Sequence, residues 1–201
     1  MPPPRSASDV RCCLPPHMRS PDANSLFRTT AMTDGSAITE RALRLIQNQR
    51  TLVLATADPE PWAAPVYYVY GRRRFYFFSG ENSRHVTAAL ATDRCATSIY
   101  RDGDDWRDIE GLQMDGRLES IPLGAEALGI FRAYVKKFPT VREFFVEAVF
   151  DFQLFTQRFR TQLYAFVPQR VFYLSNQAGL GSRREIQLPE GHDGMAPSVE
   201  R

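Results

Sequence analysis

Short β-rich segments separated only by turns are the feature of this sequence that most restricts its fold. The segments "TLVLATA" (51–57), "WAAPVYYVYG" (62–71) and "RFYFFS" (74–79) are rich in β-branched and aromatic residues, and "DPEP" between the first two is typical of a turn. Strands that follow one another this closely can pair only antiparallel, because a parallel connection needs about a dozen residues or more. The chain is therefore predicted to be mainly β and antiparallel.

Three more segments of this kind follow: "RCATSIYR" (94–101), "LQMDGRLESI" (112–121) and "TQLYAFVPQRVFYLS" (161–175). Six or so short strands favour a small barrel, because closing a sheet removes its unpaired edges. A glycine-containing loop and a short end segment, "NQAGLGSRREIQL" (176–188), complete this part of the chain.

Helical patterns occur at two places outside the strands. A helix is predicted from Ser36, because the side chains of a single helical face are apolar: Ile38, Ala42, Leu45 and Ile46. A helical insertion is predicted over 123–160, where Pro139 ends one helix and "TVRE" (140–143) begins the next as a capping box. Apolar residues spaced four and three apart continue that second helix and indicate packing on the sheet or on a partner subunit: Val141, Phe145, Ala148, Phe152, Phe155 and Phe159.

The two ends of the chain lack these patterns. Residues 1–35 hold six of the 14 prolines and almost no apolar periodicity, so they are predicted to be a disordered N-terminal extension. Residues 189–201 are predicted to be a disordered tail. One folded domain is expected over 36–188. An alternative interpretation of the extension is an upstream start codon, with the natural start at Met32 or Met18.

Charge and cysteine content argue against several classes of function. The formal net charge of +2 lies entirely within residues 1–31, so the expected domain offers no electrostatic basis for binding nucleic acid. No stretch is long and apolar enough to span a membrane. The three cysteines lack metal-binding spacing, Cys95 is expected as a buried thiol, and so few cysteines indicate the cytoplasm. In "DGDDWRD" (102–108), Trp106 occupies a position where a calcium loop needs an oxygen ligand.

The segment "SGENSRHVTAAL" (79–90) carries the strongest chemical signal. Ser83 is placed to cap a helix whose free N–H groups and positive dipole end favour an anion. Arg84 adds a bidentate fork, Ser79 a second hydroxyl, and Gly80 a close backbone approach. The alternative is a capped helix with a solvated Arg84–His85 pair. Neither GxxxxGK[ST] nor GxGxxG is present, so any nucleotide here would be held by a barrel.

The stretch "TLVLATADPEPWAAPVYYVYGRRRFYFFSGENSRHVTAALATDRCATSIY" (51–100), followed by "IEGLQMDGRLESI" and later "YAFVPQRVFYLS", resembles the FMN-binding split-barrel superfamily typified by pyridoxamine 5'-phosphate oxidase. The resemblance implies an antiparallel split β-barrel with peripheral helices. It also implies a homodimer with FMN in a cleft between the subunits.

The same resemblance implies roles for individual residues. The flavin ring would be contacted by the backbone of one strand, at Ala64, Pro65, Val66 and Tyr67. The phosphate would be held at the start of the helix, by Ser79, Gly80, Ser83, Arg84 and His85. Gln113 would approach the flavin from a later strand. Arg183 or Arg184 would reach the phosphate or the cleft, unless the two form a solvated surface pair.

Three departures separate this sequence from the oxidase itself. Ala64 stands where the oxidase has an arginine for the FMN phosphate, and Val69 stands where it has a lysine for the substrate phosphate. The late Arg-x-His of the oxidase is "RVF" (170–172) here. The FMN site is thus partly kept and the pyridoxal-phosphate site is lost, so the protein is not expected to be a pyridoxamine phosphate oxidase.

The function implied is a flavin-dependent oxidoreductase, in which FMN supplies the hydride chemistry and the protein supplies binding and orientation. No catalytic side chain is named, because no Ser-His-Asp or Cys-His arrangement is apparent. A flavin-binding sensor or carrier without turnover is one alternative. Others are a deazaflavin-binding member, using a basic groove at 72–74, and a haem-binding member with His85 as axial ligand. The small-molecule substrate is not identified by the sequence.

Overall fold

The structure, a computed structural model, describes residues 23–144 and 152–190. It divides into two compact units, Met1–Asp34 and Gly35–Arg201. Of the first unit only residues 23–34 are described, and they are helical. The sheet and the candidate site belong to the second unit.

Helices and strands follow one another in an order close to the predicted one. The elements are α1 (Ala23–Asn48), β1 (Thr51–Thr56), β2 (Trp62–Tyr67), β3 (Val69–Gly71), β4 (Arg74–Ser79), α2 (Arg84–Thr92), β5 (Cys95–Arg101), β6 (Glu110–Ile121), α3 (Ala125–Lys137), α4 (Phe152–Phe159), β7 (Gln162–Ser175) and β8 (Arg183–Ile186). Three short 3-10 helices occupy Trp106–Asp108, Pro139–Phe144 and Asn176–Ala178.

The eight strands of the described residues join one antiparallel sheet in the order β2-β1-β5-β6-β7-β4-β3, and β8 pairs with the C-terminal part of β7. The sheet curls into a half-barrel, which confirms the predicted split β-barrel and corrects the simpler expectation of a closed one. β2 and β3 end the hydrogen-bonded path rather than pairing with each other. A register shift between Asp115 and Gly116 marks a β-bulge in the long β6–β7 ladder.

The segment 62–71, predicted as one strand, is two strands that meet at Tyr68. Tyr68 is fully buried, and its hydroxyl donates a 2.7 Å hydrogen bond to the carbonyl of Ile46 near the end of α1. A buried phenol needs such a partner. The chain therefore leaves β2 at Tyr67 and resumes as β3 at Val69.

Alternate residues of β4 face two different hydrophobic cores. Phe75 and Phe77 point into the half-barrel, together with Leu52, Leu54 and Ile99. Tyr76 and Phe78 point the other way, into a second, aromatic core. This core is formed with α3, α4 and β7, by Phe131, Tyr134, Phe138, Phe152, Phe155 and Leu163. The helical insertion between β6 and β7 thus covers the outer face of β4.

The helical predictions need three corrections. α1 begins at Ala23 rather than Ser36, so residues 23–35, predicted to be disordered, are helical. Residues 139–144 form a 3-10 helix rather than the first turns of a long α-helix, and α4 begins at Phe152. Phe145 and Ala148 of the predicted stripe lie outside the described residues, as do residues 1–22 and 191–201.

Among the described residues, no helix is long and apolar enough to cross a membrane, and no three His, Cys, Asp or Glu side chains are grouped to hold a metal ion. Cys95 is the buried thiol that was predicted: its Sγ lies 3.8 Å from the carbonyl oxygen of Gly116, to which its S–H donates. Burial, reinforced by the charge of Asp93, raises the pKa of the Cys95 thiol to about 12, so this thiol stays protonated and unreactive at neutral pH.

Candidate functional site

Two serine hydroxyls and one imidazole form a cluster where β4 passes into α2. Ser79 ends β4, Ser83 occupies the N-cap position of α2, and His85 lies in its first turn. The oxygen Oγ of Ser79 lies 2.8 Å from Nε2 of His85 and 2.9 Å from Oγ of Ser83. We call these three residues the hydroxyl–imidazole cluster.

The hydrogen bonds of the cluster run in one direction. Ser83 donates its hydroxyl proton to the carbonyl of Gly80 at 2.6 Å, so its oxygen is left to accept a bond from Ser79. Because the hydroxyl proton of Ser79 is donated to Ser83, the oxygen of Ser79 accepts a hydrogen bond from Nε2–H of His85. A ligand with acceptor oxygens would turn both hydroxyl protons toward itself. The Ser83 side chain makes no capping bond to the helix, so it is not committed to stabilising α2.

His85 is half-buried against the barrel, with its ring 6.5 Å from the ring of Phe77. Burial lowers the pKa of His85, because a charged imidazolium loses solvation there. In this structure His85 is therefore a neutral donor at neutral pH. An anion placed beside it would favour the charged form instead.

Arg84 does not join the cluster, although the sequence places it between Ser83 and His85. Its Nη2 donates to Oε2 of Glu60 at 2.9 Å, and its guanidinium carbon lies 4.7 Å from the centre of the Trp62 ring. Both partners belong to the β1–β2 connection and the start of β2. The Arg84 side chain is 41% exposed and remains within reach of solvent and of any ligand that arrives from it.

β2 offers a free strand edge beside the cluster. Within the described part of the chain, β2 pairs only with β1, and it also lies against β4 and α2. The four residues predicted to contact a flavin ring lie on this strand: Ala64, Pro65, Val66 and Tyr67. Val66 is buried in the barrel, while Tyr67 is 55% exposed. An unpaired edge presents backbone N–H and C=O groups, as recognition through strand backbone requires.

Gln113 lies on the same sheet face as Pro65 but not close to it. The register places Pro65, Val53, Ser98 and Gln113 in one row across β2, β1, β5 and β6. Three strand spacings separate the ends of this row, a distance of about 14 Å. Within one chain, β1 and β5 therefore separate Gln113 from β2.

Arg183, rather than Arg184, reaches Gln113. Nη1 of Arg183 lies 3.2 Å from Oε1 of Gln113, and its guanidinium carbon is 5.2 Å from the centre of the Phe172 ring. Arg184 is opposite Tyr173 in the β7–β8 ladder, so its side chain leaves from the other face of the sheet. The two arginines are both exposed and leave from opposite faces of the sheet.

Lys137, at the end of α3, is a feature that the sequence analysis did not single out. Its Nζ lies 3.9 Å from the centre of the Tyr68 ring and 3.4 Å from the carbonyl oxygen of Ile46. Burial, with a smaller contribution from the charge of Arg50, lowers the pKa of Lys137 to about 8. The signal available in the sequence was its rarity, because only Lys136 and Lys137 are lysines among 25 basic residues.

We expect Lys137 to lose its proton near pH 8. With lysine labelled at ¹³Cε, NMR follows this titration, and the signal that disappears in Lys137→Met is that of Lys137. Because the unfolded chain keeps the Lys137 proton above pH 8, the free energy of unfolding should rise with pH between about 8 and 10. Lys137→Met should flatten this rise. A Lys137 signal that titrated near the ordinary lysine value of about 10.4 would contradict the buried position.

The family model described as "Pyridoxamine 5'-phosphate oxidase" matches residues 38–171 of this chain. A search of the curated proteins found no match. Among solved structures, the chain is similar to Campylobacter jejuni ChuZ, with 13% identity, a TM-score of 0.59, and coverage of 76% of this chain and 60% of that one. It is also similar to the heme binding protein from Mycobacterium smegmatis, with 16% identity, a TM-score of 0.56, and coverage of 75% and 57%.

A third similar structure is HutZ, the heme storage protein from Vibrio cholerae, with 14% identity, a TM-score of 0.52, and coverage of 66% of this chain and 92% of that one. The chain spans only 57% of the length of the Mycobacterium protein and 60% of that of ChuZ. At these identities the likeness is one of fold, and it agrees with the half-barrel described above.

Proposed function

This chain belongs to the pyridoxamine 5'-phosphate oxidase family, and on that premise we propose that it binds FMN and works as a flavin-dependent oxidoreductase of the cytoplasm. The observation that carries the proposal is the hydroxyl–imidazole cluster at the start of α2. Two hydroxyls and a half-buried imidazole at a helix N-terminus, with Arg84 next to them in the sequence, are a donor set suited to a phosphate group.

The residues present fit FMN at both of its ends. Ser79, Ser83, His85 and Arg84 would hold the phosphate, and the free edge of β2 would contact the ring through its backbone. When bound, FMN supplies the hydride chemistry. This chain supplies the binding and the orientation.

The structure also supports a substrate other than pyridoxamine phosphate. Val69, which replaces the lysine of the oxidase, is 4% exposed and packs in the aromatic core with Tyr76 and Phe131. A side chain in that position cannot reach a substrate phosphate. Ala64 likewise removes a phosphate ligand from β2, which leaves Arg84 as the cation next to the cluster.

We propose that the working form is a homodimer whose two sites are shared between subunits. The outer face of β2, β1, β5 and β6 carries Tyr67 and Tyr100, which are 55% and 60% exposed. Large aromatic side chains on one open sheet face suit a subunit contact. A second subunit would also remove the 14 Å separation within one chain, because its own Gln113 could approach the flavin held by β2.

Dilution should release FMN as the dimer dissociates. We expect light scattering to show a dimer at low micromolar concentration, and FMN fluorescence to rise when the protein is diluted below the dimer dissociation constant. Tyr100→Arg should shift both transitions to higher protein concentration, because it places a charge in the contact. A monomer that keeps FMN bound would rule out the shared site.

Haem is a second candidate, favoured by the heme-binding proteins among the similar structures. Against it, His85 is the only histidine in the described part of the chain, and its Nε2 is engaged by Ser79 at 2.8 Å. An axial ligand would have to break this bond. The absorption spectrum of the purified protein decides between the two, since a flavin gives two bands in the visible and near-ultraviolet and haem gives a Soret band.

A colourless protein that fails to take up FMN would contradict the proposal and leave a deazaflavin as the ligand to be tried next. Where FMN is bound, stopped-flow mixing with reduced nicotinamide nucleotides separates an enzyme from a sensor or carrier. Bleaching of the flavin spectrum within seconds supports the oxidoreductase. An unchanged spectrum with every donor supports the carrier.

A further inference from the structure

The carboxylate of Glu60 is bound to Arg84, the one cation that lies next to the hydroxyl–imidazole cluster in the sequence. Oε2 of Glu60 accepts from Nη2 of Arg84 at 2.9 Å, while Trp62 stacks on the same guanidinium at 4.7 Å. A guanidinium fork recognises a carboxylate and a phosphate with the same N–H groups. The Glu60 carboxylate therefore uses the donors that a phosphate ligand would need.

We infer that Glu60 is a built-in competitor for the anionic group that this site binds. In the free protein the Glu60 carboxylate holds Arg84, and a phosphate has to displace it. The inference rests on the proposed phosphate site and adds a selectivity to it: Glu60 weakens the binding of phosphorylated ligands and leaves ligands with the same ring but no phosphate unaffected.

Because the Glu60–Arg84 pair is exposed, replacing the carboxylate of Glu60 by a phosphate on Arg84 costs little free energy. Glu60 is 76% exposed, so its carboxylate returns to water when it releases Arg84. Trp62 can keep contact with the guanidinium during the exchange, because the ring binds its face and the anions bind its edge. Exposed ion pairs contribute up to about 1 kcal/mol, so the competition should change phosphate affinity by up to about fivefold.

The chain contains a charge-matched control in the same region. Glu81 lies two residues before Ser83, and its Oε2 accepts from Nε2 of Gln162 at 2.7 Å rather than from an arginine. Glu60→Gln and Glu81→Gln remove the same charge near the same cluster. Only the first removes a carboxylate that is paired with Arg84. The difference between the two variants isolates displacement from a general change in net charge.

The experiment measures dissociation constants of FMN and of riboflavin, which lacks the phosphate, for the wild type and both variants. A second titration uses inorganic phosphate and the fluorescence of Trp62. For this titration all proteins carry Trp106→Phe, because the chain has two tryptophans. We expect Glu60→Gln to bind FMN and phosphate roughly threefold to fivefold more tightly, Glu81→Gln to change them less than twofold, and riboflavin binding to stay constant. High salt should reduce the difference in FMN and phosphate affinity between Glu60→Gln and the wild type.

Equal effects of the two variants would overturn the inference, because net charge alone would explain them. Weaker phosphate binding by Glu60→Gln would overturn it as well, since Glu60 would then position Arg84 for the ligand. Absence of any phosphate response in the wild type has the same consequence. If no variant binds FMN but Glu60→Gln still binds phosphate more tightly than the wild type, the proposed FMN function is wrong. The inference that Glu60 competes with the bound anion is then still supported.

Discussion

Replacing Arg84 with alanine should weaken FMN binding by about 1.5–3 kcal/mol, the range for a lost hydrogen bond between charged groups. Two effects add in this variant. The phosphate loses the only cation adjacent to the hydroxyl–imidazole cluster in sequence, and Glu60, deprived of its partner, becomes an unpaired negative charge near the ligand. Fluorescence titration with FMN measures the change, which corresponds to an increase in dissociation constant of roughly tenfold to a hundredfold.

Arg94→Ala is the matched control, because it removes another exposed positive charge just beyond the other end of α2. Its FMN affinity should stay within about twofold of the wild type, as expected for a distant surface charge in salt. Riboflavin should bind Arg84→Ala and wild type alike. A parallel loss of riboflavin and FMN affinity would show that Arg84 supports the fold of the site and not the phosphate.

Gly116→Ala should reduce the free energy of unfolding by about 3 kcal/mol, at the upper end of the cost of overpacking. A Cβ at this position would lie 2.1 Å from the carbonyl oxygen of Val167 and 3.0 Å from two ring carbons of Phe166. The first of these contacts is with backbone, so no rotamer change relieves it. Urea unfolding should show a lower midpoint at an unchanged slope.

Gly129→Ala provides the comparison for this glycine. Gly129 lies within α3, and a Cβ added to it would meet no atom within 4 Å. Since alanine favours a helix over glycine by about 1 kcal/mol, this variant should be more stable than the wild type. If Gly116→Ala unfolded at the wild-type urea concentration, the bulge between Asp115 and Gly116 would have to be free to relax.

Much of the sheet could be predicted because its strands are local patterns. β4 was predicted with its correct bounds, since an aromatic run between Arg73 and Gly80 defines both of its ends. The break at Tyr68 could not be predicted, because residues 66–70 are uniformly β-forming. The partner that draws Tyr68 inward, the carbonyl of Ile46, lies far away in sequence. The apolar stripe over 141–159 was predicted to be one helix for a similar reason. The spacing of apolar residues indicates which face of a helix is buried, but it does not indicate the residue at which the helix begins.

The same distinction between contacts that are near and distant in sequence applies to the candidate site. Ser79, Ser83 and His85 are near neighbours in sequence, so a strand followed by a helix was enough to bring them together. The contacts of Arg84 with Glu60 and Trp62 cross more than 20 residues and depend on how β2 lies against α2. Gln113 and Arg183 also meet only through the order of strands. Distant pairs require the register of the sheet, which sequence patterning does not contain.

The helical insertion between β6 and β7 has a consequence for how the protein folds. These strands form the longest ladder of the sheet, yet the chain leaves it at Ile121 and returns at Gln162. Loop closure costs about 0.6 kcal/mol for each doubling of loop length, so a connection this long adds only about 2 kcal/mol over a five-residue hairpin. The insertion therefore reduces the stability only slightly. It also raises the contact order, which slows the pairing of β6 with β7. We expect β1–β2 and β5–β6 to pair first, and the hydroxyl–imidazole cluster, whose β4 strand pairs with β7, to be completed late.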